Sequence, residues 1–427
     1  MKLLNTYVTG ALLPRPGLSN ASAHFSSGAS FGQAFIIGTG ILGTNVLADT
    51  ASLIVDVSSQ VQSVQTARGR NLLTDVFQTG TATVVIADQL GDFNPQNTAG
   101  PYYTYLLPLR KIVITGTDTN TGTPYNLFSG YITGYNYQQS QFTGEVNTTT
   151  ITAVDAFQLL TLATVSTVTG ASAGQTTGAR ITNILDTISW PSGMRDIDTG
   201  LTTVQADPGT ARTALQALQT VATTEYGALY VDPNGEIIFQ DRTVTSTSVG
   251  GTPVDFVDTG PGIAYSNAEF KLDDTQIFNQ ANVTATGLAQ QTASDATSIS
   301  TFFLHSYDIT GLLMQTTAEA LNYAQAYVAS RKDTSVRCDS ITLNLNTANY
   351  AAGVAAALSL DFFDPITVTQ TQPGSSTLTK TLQVFGVSHS VTPNTWFTRF
   401  TTAEPIIDAF IIGNSQYGVL GENLLSY

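Results

Sequence analysis

The stretch EYGALYVDPNGEIIFQDR, Glu225 to Arg242, gathers four carboxylates in a chain where only 11% of residues are charged. They are Glu225, Asp232, Glu236 and Asp241. Two chemistries would use such a group. A calcium loop sets oxygen ligands at alternating positions, D-x-[DN]-x-[DN]-G with a later Glu. Asp232 and Asn234 meet the first two positions, but Gly235 follows at once and the third ligand is missing. Pro233 suits a turn better than a coordination loop. A glycosidase places two carboxylates across one cleft. On a hairpin Glu236 and Asp241 differ in parity, so they point to opposite faces. The stretch reads instead as a helix end, a strand, a tight Asp-Pro-Asn-Gly turn and a second strand. Its carboxylates are then the solvated polar edge of that hairpin.

Other chemistries find less material. His24, His305 and His389 are scattered, and neither H-x-x-x-H nor C-x-x-C occurs. Cys338 and His389 have a separation that a cysteine peptidase could use. A reactive thiol, however, favours a helix N-terminus that lowers its pKa, whereas Cys338 enters the strand-like SITLNL. There is no P-loop, no G-x-S-x-G elbow and no dinucleotide fingerprint. The expectation is a protein without catalytic, cofactor-binding or metal-binding residues, hence not an enzyme and without a cofactor.

The elements around these residues belong to a chain of 427 residues, enough for two to four domains. Asp and Glu number 31 against 16 Lys and Arg, for a formal charge of −15. Apart from ARGR at 67–70 no basic cluster exceeds a pair, so a nucleic-acid-binding face has little to be built from. A single cysteine excludes an internal disulfide framework. A surface this poor in charge and rich in Thr, Ser, Gln and Asn suits life within an assembly. MKLLNTYVTGALLPRP lacks the sustained apolar core of a secretory signal. Residues 25–48 carry no charge, but glycines and polar residues dilute them too far for a spanning helix, and a buried strand or interface segment is expected.

Period-two alternation dominates the first half. Leu53, Val55 and Val57 share one face, as do Ala82, Val84 and Ile86. The pattern continues through 110–117, 127–137 and 145–155 and ends in a short helix at DAFQLLTLA. From about residue 161 the period becomes helical, with Ile181, Ile184, Leu185 and Ile188 on one stripe. A second helix is expected to start at Asp207 as cap and Pro208 as first helical residue, with Ala211, Ala214, Leu215, Leu218 and Ala222 buried. After residue 260 strands resume, interrupted by one helix at 315–333 whose Thr316 and Glu319 have capping-box spacing. The fold class is mainly β with an α+β insert, two β-barrel-like regions separated by a small α/β domain. The expected boundaries are 1–48 as an interface segment, 49–160 and 256–405 as the β-regions, 161–255 as the insert and 406–427 as a tail.

Five segments together resemble minor tail proteins of long-tailed bacteriophages, the tail-tip hub or tail-associated family. They are RGRNLLTDVFQTGTATVVIADQLGDFNPQN (68–97), LFSGYITGYN (127–136), ISWPSGMRDIDTG (188–200), ALQALQTVATTEYGALYVDPNGEIIFQDR (214–242) and VFGVSHSVTPNTWFTRFTTAEP (384–405). The resemblance implies a β-barrel hub similar to those of contractile-tail baseplates. It implies a cyclic oligomer, a trimer, that closes the tail tube and lets DNA pass without specific binding. The implied partners are the distal tail protein, the tape-measure protein and tail fibre or spike proteins, without stable membrane insertion. The implied location is the tail tip or baseplate of the virion, after synthesis in the host cytoplasm. Many relatives carry a C-terminal peptidoglycan hydrolase; this chain ends at GNSQYGVLGENLLSY, and lytic activity is not expected. The distal tail ring, a carbohydrate-binding β-module and a glycoside hydrolase are the alternatives. For the module, the Tyr-rich 101–108 would be the sugar platform; otherwise it is an apolar rim at a subunit contact.

Overall fold

Alternating apolar residues bury one side of a strand and leave the other wet. In the computed structural model that rule builds the strands of the main sheet. The described residues are 17–25, 53–71, 76–103, 105–118, 120–140, 146–243, 252–345, 350–374 and 376–405. Apart from the strand at 17–25, the proposed segments 1–48 and 406–427 lie outside them, as does the uncharged stretch beyond Phe25.

The first β-region contains β1 (Gly17–Phe25), β2 (Leu53–Asp56), β3 (Val61–Asn71), β4 (Val76–Ala87), β5 (Lys111–Asp118), β6 (Thr123–Gln138) and β7 (Thr148–Val154). They pair in the order β3-β4-β7-β6-β5-β1-β2. Ala82, Val84 and Ile86 of β4 are buried as the alternation predicts, and so are Ile112 and Ile114 of β5.

An insert follows. Asp155 caps α1 (Ala156–Leu162), and Thr176 caps α2 (Thr177–Thr187). The next helix, α3 (Ala214–Glu225), begins later than the sequence suggests. Thr213 and Gln216 form a reciprocal capping box there. Asp207 instead accepts from the Gly209 amide and pairs with Arg212 at 2.5 Å. Gly209 adopts φ +66°, outside the helical region, so Asp207 and Pro208 cannot start the helix. The strands β8 (Arg195–Ile197), β9 (Ala228–Val231) and β10 (Ile237–Gln240) complete this part in the order β8-β10-β9.

The remainder is not one β-region with a single helix. β11 (Val254–Val257) and β12 (Asn267–Lys271) join the main sheet. Then β13 (Gln280–Ala285), β14 (Gln291–Ser294), α4 (Ala296–Phe302), β15 (Ser306–Leu312) and α5 (Thr317–Arg331) make a separate α/β unit. Its sheet has the order β14-β13-β15, and its core, with Ala281, Val283, Met314, Ala324 and Tyr327, is distinct from the main one. The capping box of Thr316 and Glu319 opens α5 as expected. β16 (Arg337–Asn344), α6 (Tyr350–Ser359), β17 (Pro365–Thr371), β18 (Thr377–Val391) and β19 (Trp396–Ala403) return to the main body.

β18 joins the two β-regions. Its residues from Gly386 to Val391 pair with β19 on one edge and with β3 on the other. Both regions therefore belong, among the described residues, to one 14-stranded sheet, counting a short strand at Ile263–Ala264, over one large core. Gly386 lies opposite Gly69 at this seam, and a Cβ on Gly69 would come within 2.8 Å of the Gly386 Cα. Only residues without side chains let the strands approach so closely.

Candidate functional site

The hairpin of β9 and β10 forms as its sequence dictates, with Val231 opposite Ile237. Gly235 takes φ +88° and its amide donates to the Asp232 carbonyl at 3.1 Å. The Asp232 carboxylate is fully occupied by the turn. Its Oδ1 accepts from the amides of Asn234 (3.0 Å) and Glu236 (2.7 Å), and its Oδ2 from the Asn234 side chain (2.7 Å). The turn docks on β6, where the Asn126 side chain donates to Asn234 Oδ1 at 2.7 Å. Burial raises the Glu236 pKa, helped by Asp232 and Asp196 and opposed by Lys111. Asp241 accepts from the Thr243 amide at 2.8 Å.

Glu225 is not part of a solvated edge. It is 0% exposed. Thr177 Oγ1 (2.8 Å) and the amides of Thr202 (2.7 Å) and Leu201 (3.2 Å) donate to its carboxylate. Three donors replace the water that burial removed. The side chain thus ties the end of α3 to the start of α2, a structural task that its place beside the hairpin did not reveal.

Behind the hairpin lies a junction that sequence reasoning also missed. Val64, Thr66 and Arg68 of β3 alternate inward, and Arg68 is only 8% exposed. Its Nε donates to the Leu127 carbonyl (3.2 Å), its Nη1 to the Val231 carbonyl (3.4 Å) and its Nη2 to Asp361 (2.8 Å). The guanidinium also sits 4.9 Å from the centre of the Phe362 ring. One side chain therefore bonds the first β-region, the insert and the second β-region. The one available signal was an arginine at an inward-facing strand position within ARGR.

Asp155 borders the same junction. Its carboxylate accepts from the amides of Gly80 (2.6 Å) and Phe157 (2.9 Å). Burial pushes its pKa up to about 7, while those two amides and Arg68 hold it down. His389 is fully enclosed, and burial, aided by Arg68, lowers its pKa to about 3. The Trp396 indole donates to His389 Nδ1 at 3.3 Å, which fits a neutral ring accepting there.

The structure does not bring Cys338 and His389 together. His389 pairs with Thr398, which pairs with Leu343, five residues along β16 from Cys338. Burial pushes the Cys338 thiol up to about 11, the opposite of an activated nucleophile. His305 belongs to a loop clamp, its amide donating to the Asn279 side chain at 2.8 Å. The His24 side chain lies outside the described residues. Among the described residues no group of three or more His, Cys, Asp or Glu could hold a metal ion. No described helix is long and apolar enough to cross a membrane.

Among the described residues large apolar side chains reach solvent at several places, and two of them stand out. The loop between β4 and β5 exposes Leu90 (79%), Tyr103, Tyr105 and Leu107, while Phe93 and Leu106 anchor it inside. In the separate α/β unit, Phe303 is 81% exposed at φ +66°, an uncommon conformation for an aromatic residue. The buried Asn279 side chain fixes it by donating to the Phe303 carbonyl at 2.7 Å.

No protein-family model and no curated protein sequence matches the chain. Solved structures do. A tail protein from Neisseria meningitidis MC58 superposes with a TM-score of 0.54 at 11% identity, covering 83% of this chain and 94% of its own. The 43 kDa tail protein of prophage MuSo2 from Shewanella oneidensis gives 0.54 at 13% identity, covering 83% and 97%. At such low identity the likeness concerns architecture, and the chain has the fold of these two tail proteins.

Proposed function

We propose that the chain is a structural protein of a bacteriophage tail, and within the tail the hub at the tip or baseplate. The observation that carries this reading is the extent of the shared fold, 83% of this chain against 94% and 97% of two tail proteins. In this reading several copies, three by preference, close into a ring at the end of the tail tube. The ring joins the distal tail protein and tape-measure protein to fibres or a spike, and DNA crosses it in transit. Excess negative charge would keep phosphates from sticking to such a passage. The chain works without catalysis or cofactor in this role. The exposed apolar loop at Leu90, Tyr103 and Leu107 and the held-out Phe303 supply contact surface of the kind assembly uses.

Electron cryo-microscopy of particles carrying this chain tests the proposal. Threefold density for it at the tail tip is the expected result. Sixfold density would move it to the distal tail ring, and absence from the tail would overturn the reading.

A further inference from the structure

We propose that Arg110 is an oxyanion-binding residue whose guanidinium takes a carboxylate that the described residues do not provide. Arg110 precedes β5 but already follows its pairing. The Ile132 amide donates to the Arg110 carbonyl at 2.7 Å, and the Leu109 amide to the Ile132 carbonyl at 2.7 Å. By alternation the Arg110 side chain turns inward with Ile112 and Ile114, and it is 4% exposed. Leu109 at φ +64° sets the chain direction just before it.

Its Nε and Nη1 are buried, and neither has a hydrogen-bond partner. The hydroxyl of Tyr135, also buried and without a partner, lies within the field of Arg110. At the other root of the same loop, the Asp88 carboxylate is already taken. It accepts from the amides of Asp92 (2.7 Å) and Phe93 (3.0 Å) and from Thr149 Oγ1 (2.8 Å). So a cation sits inside the fold with two of its three nitrogens idle among the described residues, in a chain that has nearly twice as many acids as bases.

Arginine does not escape that cost by losing its proton. Water could occupy a donor but would leave the charge uncompensated. A carboxylate satisfies both needs, since its two oxygens match the planar donor array of a guanidinium. Two sources share this chemistry, a small carboxylate from solution and an Asp, Glu or C-terminus of a neighbouring chain.

The purified full chain separates them. Its thermal midpoint is followed as sodium acetate replaces sodium fluoride at constant ionic strength and pH 7. A free-anion site gives a saturable rise of ~1–3 °C. That rise should vanish in Arg110→Met. If a neighbouring chain supplies the carboxylate, acetate has no such effect, yet Arg110→Met keeps the fold and fails to enter tails. The inference does not depend on the tail reading for its first arm. An acetate rise that persists in Arg110→Met would overturn it. So would an acetate-insensitive chain whose Arg110→Met form assembles normally.

Discussion

Arg68 and Arg110 belong to the same β-region, turn toward its inside, and are each more than nine-tenths buried. Their surroundings differ completely. Arg68 is surrounded by acceptors from Leu127, Val231 and Asp361, and Phe362 covers its face. Arg110 has two buried nitrogens, Nε and Nη1, with no acceptor among the described residues. A buried charge with partners from three parts of the chain fixes how those parts sit together. A buried charge without partners fixes nothing within the chain and points outward, to what the chain meets. Burial alone therefore does not separate an internal bolt from an external socket; the list of acceptors does.

Replacing each arginine by methionine sharpens that contrast. Arg68→Met keeps the apolar stem but strands Asp361 and two carbonyls, and should cost ~3–5 kcal/mol of stability. Arg110→Met removes an uncompensated charge, so the isolated chain should stay within ~1 kcal/mol of wild type or gain. Urea unfolding of both variants gives the comparison. Equal losses would show that Arg110 has an internal role and that the distinction between the two sites is false.

Glu225 extends the test to an anion. It is satisfied like Arg68, by Thr177, Leu201 and Thr202, and Glu225→Ala leaves those donors buried and unmet. A loss of ~2–4 kcal/mol is expected by the same urea assay, with Glu225→Gln losing less. Gly235→Val should follow with ~1–3 kcal/mol. Its Cβ would lie 2.9 Å from Ser129 Oγ, at a φ that β-branched residues avoid. A value near zero for either would mean that the hairpin and helix are held by something other than these contacts.

What could be read in advance follows from the range of the interactions. The DPNG turn, the short helix at DAFQLLTLA and the Thr316–Glu319 box are settled by residues close to each other in the sequence. All were legible. Glu225 finds donors 23 to 48 residues away and Arg68 finds acceptors 59 to 293 residues away, so neither role has a local signature. The β3–β18 seam is of the same kind: two strands each fit their own region, and only the facing glycines hint at the contact. α6 escaped for another reason. YAAGVAAALS is apolar nearly all round, so no polar face marks its period. The separate α/β unit around β13 was hidden because its strands are short and half polar.

Acid should separate the two titrating neighbours of Arg68. Asp155 is held at about 7, above its ordinary 3.8, so the folded state binds its proton more readily and stability from this group grows as pH falls from 7 toward 4. His389 is held at about 3, below 6.5, so the unfolded state takes its proton first and stability is lost as pH falls from 6.5 toward 3. The slopes oppose each other between pH 4 and 6.5. Asp155→Asn, whatever its overall cost, should make acid destabilisation steeper by up to ~1.4 kcal/mol per pH unit. Denaturation midpoints at half-unit steps read this directly. Parallel curves for variant and wild type would mean that Asp155 is already charged across the window.

The smallest effect is expected where the chemistry at first looked densest. Glu236 stands in the same hairpin as Asp232, with Asp196 close enough to raise its pKa and Lys111 the opposing cation. Removing it takes away one attraction and two repulsions at a partly exposed position. Lys111 keeps Asp232 as its main anionic neighbour. Glu236→Ala should therefore change stability by no more than ~0.5 kcal/mol and leave assembly into tails unaltered. Loss of a catalytic or cation-binding carboxylate would also spare the fold but would abolish function. If Glu236→Ala folded as wild type but produced particles that assemble and do not infect, the hairpin would have to be read as a working site, and Glu236 as its chemistry.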